Sequence, residues 1–193
     1  DAGKERDRFY FVVESPPLGT LADPARPLSS EEVLRAVAQA ARGAHALHEA
    51  GLAHRDICPA RIMLHEDGAR LGELDLARFV EAGITVTSSA SAGAIEFLDP
   101  AIIRGERSSR SSDIWSLGAT LHRALTGKSI YGEELPPTDL VNAVRRVLST
   151  ETAVDSSISP AAAGDVVRAC LAPLAADRPP TALAVAEQIE ALQ

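Results

Sequence analysis

The segment Ser112–Gly127, SDIWSLGATLHRALTG, constrains the fold more than any other part of the chain. Apolar residues cover two of its faces, so a helix formed here has to be enclosed by other elements. Gly127 stands where a left-handed residue ends such a helix. The neighbours it needs are also in the sequence. Downstream, PTDLVNAVRRVL, SPAAAGDVVRACL and TALAVAEQIEAL each carry a capping residue or a proline ahead of an apolar stripe. Upstream, Ser29 and Glu32 have the spacing of a capping box. Val33, Val37, Ala40, Ala44 and Leu47 then mark one helical face, and Gly51 closes it. Hydrophobic residues are 46% of the chain and aromatics only 4%. Such an alanine-rich supply suits closely packed helices better than a β-sandwich.

The β content is smaller. FYFVVE (9–14) reads as a strand entered from a charged linker over residues 1–8, and SPPLGTLAD, with two prolines and a glycine, reads as a connector. Ile62–Leu64 and Ala69–Leu71 make a hairpin with Asp67-Gly68 at its turn. Residues 83–93, rich in Ser, Thr and Ala, read as a surface loop. The fold class is therefore α+β, mostly α, with residues 9–193 as one domain.

Composition also excludes function classes. A formal charge of −8 argues against wrapping a nucleic-acid backbone. The two cysteines, Cys58 and Cys170, are too few for a disulfide framework and lack a paired metal spacing. No apolar run approaches the roughly 20 residues of a membrane span, and no signal peptide is recognised. The expected setting is cytoplasmic.

Six segments in order resemble motifs of the eukaryotic-type (Hanks-type) Ser/Thr protein kinase family. FYFVVESPPLGTLAD resembles the last strand of the N-lobe and the hinge, and HRDICPARIML resembles the catalytic loop H-R-D-L-K-P-x-N. GARLGELDLARF fills the place of the metal-binding D-F-G segment, and GAIEFLDPAII that of the activation-segment end, G-T-x-x-Y-x-A-P-E. SSDIWSLGATLHRALTG resembles the D-x-W-S-x-G helix, and AADRPP carries the arginine of the late R-P-T turn. The resemblance implies the C-terminal lobe of a kinase-like fold, with the N-lobe absent except for its last strand and the hinge, and with residues 1–8 as a linker or a remnant of that lobe.

Phosphoryl transfer needs positioning, magnesium to neutralise phosphate charge, and a carboxylate to receive the substrate proton. By the resemblance, Asp56 takes the base position, either in use or kept for loop shape. His54, Arg55, Asp113 and Arg178 take structural positions. Glu14, Ser15 and Pro16 fall at the hinge that contacts the nucleotide, and Thr85, Thr87, Ser88, Ser89 and Ser91 lie in the activation segment.

The departures fall on charge. Cys58 replaces the lysine that neutralises the transferring phosphate. A Cys58–His54 nucleophile is the alternative chemical reading of that pair. Arg61 replaces the magnesium-binding asparagine, and a guanidinium cannot ligate a cation. The D-F-G site admits two alignments, placing either Glu73 or, with a slide of two, Asp75 at the metal position. An Arg61–Glu73 ion pair in place of metal coordination is expected. Ala101 replaces the glutamate that would bridge Arg178, so Arg178 has to find Asp99, Glu106 or solvent. His45 and His48 read as surface helix positions, and Trp115 as core.

These departures imply a pseudokinase module that works by protein binding or scaffolding, with no cofactor, and the Ala/Arg-rich style of the sequence points to a bacterial signalling protein. The alternatives are a divergent active Ser/Thr kinase using ATP and magnesium, with its N-lobe upstream of residue 1, or the kinase-like region of a larger peptide-modifying enzyme.

Overall fold

The computed structural model of the chain describes residues 2–5, 8–11, 15–72, 74, 78–79, 95–136 and 138–193. In chain order the strands are β1 (Ala2–Glu5), β2 (Arg8–Phe11), β3 (Leu52–Ala53), β4 (Ile62–His65), β5 (Gly68–Leu71) and β6 (Arg78–Phe79). The α-helices are α1 (Ser30–Glu49), α2 (Pro100–Ile103), α3 (Arg110–Thr126), α4 (Leu140–Ser149), α5 (Ala161–Cys170) and α6 (Ala182–Glu190). This is a mostly helical α+β lobe, as the periodicity implies.

Helix α3 lies at its centre, with every side chain from Ser112 to His122 buried. Ser109 and Ser112 cap its start reciprocally, and Gly127 at φ +68° ends it. Gly118 lets α5 approach closely: a Cβ there would stand 2.5 Å from the Cβ of Cys170. Helix α1 packs against α3 on one side and α6 on another. Its capping box is complete, with Glu32 N–H donating to Ser29 Oγ at 3.2 Å and Ser29 N–H to Glu32 Oε2 at 2.9 Å. Arg26 also grips Glu32, and the hydrogen bonds together hold that carboxyl down at about 2. Arg42 fastens α1 to α6 through a two-pronged bond to Glu190, both arms 2.7 Å.

The strands form three antiparallel pairs, β1 with β2, β3 with β6 and β4 with β5. In the β4–β5 hairpin His65 faces Gly68, which puts Glu66 and Asp67 in the turn, one residue earlier than the Asp-Gly signal implies. The connector 15–28 lies along this hairpin. Leu18 N–H donates to Leu64 O, Leu21 N–H to Ile62 O, and Leu64 N–H to Gly19 O. Ala2–Glu5 is a strand paired with β2, a main-chain property that a charged sequence does not advertise. Residues 12–14 of the FYFVVE run and the Ser/Thr-rich stretch 83–93 lie outside the described residues.

Candidate functional site

The catalytic-loop segment follows β3 and is held from below by one buried carboxylate. Asp113 Oδ2 accepts from His54 N–H and from His48 Nε2, each at 2.8 Å, and Oδ1 accepts from Arg55 N–H at 2.8 Å. Asp113 is 1% exposed, and three donors are what a carboxylate removed from water requires. Arg55 is the single non-glycine residue at positive φ among those described, +74°. That conformation costs about 1–2 kcal/mol, which charge-assisted bonds of about 1.5–3 kcal/mol each can offset.

His48 corrects a sequence expectation. It is buried at 2% exposure, not on the surface. The signal was present, since position 48 is one helical step beyond Ala44 on the apolar stripe, but its polarity masked it.

His54 is fully buried. Its Nδ1 accepts from Asp56 N–H at 3.3 Å and its Nε2 donates to Gly72 O at 3.1 Å. Burial pushes its pKa down, so the ring is neutral with its proton on Nε2. Both nitrogens are engaged, leaving none to deprotonate Cys58. The Cys58 thiol is itself buried, and burial and then Asp56 push its pKa up. A neutral thiol without a base is not a nucleophile.

A short 3-10 turn, Pro59–Arg61, then swings Arg61 back over the loop. Arg61 N–H donates to Cys58 O and Arg61 O accepts from Gly72 N–H, fixing the backbone on both sides. Arg61 Nε donates to Asp56 Oδ2 at 2.8 Å, with the two side chains 30% and 15% exposed. The pair expected with Glu73 lies outside the described residues on the glutamate side, as does Asp75. The described ion pair of Arg61 is with Asp56.

The magnesium site implied by the kinase resemblance does not fit position 61. A guanidinium brings positive charge and no lone pair, and it occupies an oxygen of the carboxylate beside it. Among the described residues, no group of three or more His, Cys, Asp and Glu side chains is placed to share a metal.

Arg178 is 5% exposed and meets Asp99, which is 4% exposed, through a direct Nη1–Oδ2 contact. It also donates to Ala172 O at 2.8 Å and Ser111 O at 2.9 Å, and its guanidinium lies 5.0 Å over the Trp115 ring. Asp99 has a second task, accepting from Ala101 N–H at 3.0 Å to cap α2. An Asp-Pro pair is a helix-start signature, so both roles follow from one position two residues before the one the motif predicts.

Sequence reasoning missed the cluster around Arg123. Its Nε and Nη2 grip the buried Glu96, and its Nη1 reaches Glu134 Oε1 at 2.7 Å and Gly127 O at 3.0 Å. This ties the turn Ile95–Phe97 to the end of α3. Glu96 and Arg123 are 27 positions apart, and no spacing rule pairs them.

At the hinge, Ser15 is exposed and Pro16 O accepts from Gly19 N–H at 3.1 Å, while Glu14 lies outside the described residues. Thr85, Thr87, Ser88, Ser89 and Ser91 lie outside them too. The Arg55 Nε is buried without a partner among the described residues.

The family model for the protein kinase domain matches residues 1–189. The chain belongs to the protein kinase domain family. Among curated relatives of this kinase domain, the serine/threonine-protein kinase PknK of Mycobacterium tuberculosis is 30% identical over 177 residues, covering 91% of this chain and 16% of PknK. The serine/threonine-protein kinase PknB of Mycobacterium leprae is 30% identical over 132 residues, 66% of this chain and 21% of PknB. The probable serine/threonine-protein kinase PkwA of Thermomonospora curvata is 32% identical over 105 residues. The chain thus spans a minor part of each relative's length, and all three are bacterial. Among the described residues, no helix is long and apolar enough to cross a membrane.

Proposed function

We propose that this kinase-family lobe is a pseudokinase module of a bacterial signalling protein, cytoplasmic, acting by protein binding or scaffolding with phosphotransfer lost or strongly impaired. The observation that carries the reading is the Arg61–Asp56 ion pair. A base must offer its carboxylate oxygen to a substrate hydroxyl, and here a guanidinium already holds one. The pair also places the wrong kind of cation where the family coordinates magnesium. Cys58 removes the second positive charge, because its thiol is neutral and carries nothing to offset a transferring phosphate. A lost preorganised electrostatic contact costs about 3 kcal/mol in the transition state, so two cost on the order of 10⁴ in rate.

A divergent active kinase is the competing reading. It is favoured by the intact support of the loop, since Asp113 holds the backbone at His54 and Arg55 just as a working loop requires. The test is ATP binding and phosphotransfer by the complete protein, with and without magnesium. The expected result is no phosphotransfer that depends on Asp56. Magnesium-dependent phosphotransfer abolished by Asp56→Asn would overturn the pseudokinase reading.

A further inference from the structure

Between α4 and α5 the chain crosses the lobe as a strap, residues 150–158. Glu151, Thr152 and Val154 of the strap form one wall of a cavity of about 570 Å³. Ile158 is its one buried side chain, and Ala153, Ser156 and Ser157 are exposed. Little apolar burial therefore holds residues 151–157, and their attachment falls to polar contacts. Among the described residues, three of these reach other parts of the lobe. Ala153 N–H donates to Ile130 O at 2.8 Å, Asp155 N–H donates to His122 Nε2 at 3.1 Å, and Lys128 Nζ donates to Asp155 Oδ2 at 2.8 Å. The lysine is 58% exposed, and a surface pair of that kind contributes little. Segments attached in this way open locally at a lower cost than the whole lobe.

His122 is 1% exposed, and both of its ring nitrogens are bound to main chain. Because Asp155 supplies an N–H, Nε2 has to accept. That leaves the ring proton on Nδ1, which donates to Lys128 O at 3.2 Å. The ring holds the strap only while it is neutral. A second proton would go to Nε2 and turn the acceptor into a donor facing the Asp155 N–H. One bond would be lost, and two buried donors would be set against each other.

Burial is the main force that keeps this proton off; Asp155 favours it, whereas Arg123 and Lys128 oppose it. Asp155 is not placed to accept it where it stands, since its carboxylate already accepts from Lys128 Nζ and from Ser157 N–H at 2.8 Å. The other charged groups on elements packed against α3 are engaged elsewhere. Glu96 is held by Arg123, Asp165 and Arg168 of α5 pair with each other, His48 of α1 serves Asp113, and Glu190 of α6 is taken by Arg42. Cys170 of α5 is a buried thiol, kept neutral by burial.

We propose that residues 150–158 form a pH-sensitive strap, latched by neutral His122 and released when the ring is protonated. Release uncovers the ring, so that water solvates the imidazolium, and takes Glu151, Thr152 and Val154 out of the cavity wall. In the released state the ring gains its proton near the ordinary value of 6.5, and in the latched state only at lower pH. The released fraction therefore grows by up to about tenfold for each pH unit below about 6.5. The inference stands on the strap alone and is indifferent to the state of Asp56.

The test is hydrogen exchange of the complete protein followed by mass spectrometry at pH 7.5 and 5.5, with rates corrected for the intrinsic pH dependence of amide exchange. Exchange of the strap, 151–158, should quicken by about tenfold at pH 5.5, while residues 114–121 of α3 stay protected at both values. His122→Gln places a carbonyl oxygen, which does not titrate, within reach of the Asp155 N–H; the strap should stay protected and the acceleration should vanish. In His122→Ala the strap should exchange fast at both pH values. Lys128→Met, which removes the exposed pair, should keep the acceleration. No acceleration of the strap, or acceleration only together with exposure of 114–121, overturns the proposal. So does an equal acceleration in His122→Gln, or its loss in Lys128→Met. Should His122→Gln fail to fold, the unaltered protein and Lys128→Met still decide the matter.

Discussion

Replacing Asp99 with alanine tests whether a single displaced acid holds the late arginine in the fold. The Arg178–Asp99 pair is almost entirely out of water, with side chains 2% and 6% exposed. Breaking a buried pair by removing one partner costs about 3–5 kcal/mol. Arg178 keeps its bonds to Ala172 O and Ser111 O and its place over Trp115, which puts the cost near the lower bound. Losing the cap on Ala101 N–H adds about 1 kcal/mol. The expected loss is therefore roughly 4 kcal/mol, a large part of the 5–15 kcal/mol that stabilises an ordinary domain. Urea denaturation followed by tryptophan fluorescence reads it directly, because Trp115 is the only tryptophan and lies under the guanidinium. In an Arg178→Met background the same substitution should cost only about the 1 kcal/mol of the cap. Adding Ala101→Glu to Asp99→Ala should recover part of the loss by restoring an acid at the family's usual position. A loss below about 1 kcal/mol, or an equal loss with and without Arg178, would refute the reasoning.

Two further outcomes follow from the same geometry. Gly19 has φ +77°, and a Cβ there would stand 2.3 Å from Asp23 O; Gly19→Ala should cost at least about 2 kcal/mol and speed hydrogen exchange at the Leu18 and Leu21 amides, while unchanged exchange would contradict it. Burial depresses His54 and His122 below the ordinary histidine value of 6.5, so the unfolded chain takes up those protons first as pH falls. Their contribution is complete above about pH 6.5 and is lost progressively below it, so the urea midpoint should be lower near pH 5.5 than near 7.5. An equal or higher midpoint near pH 5.5 would contradict that sign.

The helical part of the fold was legible because its signals are local. Ser29 with Glu32, Ser112–Gly127 and the capped downstream stripes each declare a helix within a few residues. The strand Ala2–Glu5 was not legible, since its only support is a partner strand. At the site, the loss of the lysine and asparagine could be read from Cys58 and Arg61, but the Arg61–Asp56 pair could not. A guanidinium that reaches several carboxylates is placed by three-dimensional proximity, and five residues of separation across a 3-10 turn bring Asp56 within 2.8 Å. His48 and Arg123 were missed for a related reason. Each is polar, and its placement depends on a partner from another element, Asp113 for one and Glu96 for the other.

The way in which departures from the family pattern are compensated separates two kinds of constraint. When the glutamate bridging Arg178 becomes Ala101, an acid stands two residues earlier at Asp99 and the buried arginine keeps a partner. A buried guanidinium left alone would cost several kcal/mol, enough to remove a variant on stability grounds whatever its activity. The loop support obeys the same rule, with Asp113 receiving every donor it needs. No such repair accompanies Cys58. Its thiol is packed away and neutral, and the described surroundings supply no lysine in exchange. Arg61 adds a charge, but it pairs with the base position itself. The buried arginine of the fold keeps an acid nearby, whereas Cys58 and Arg61 do not reproduce the lysine and asparagine of the family pattern. A lobe under selection for turnover would need repairs of both kinds; one under selection for its surface would need only the first.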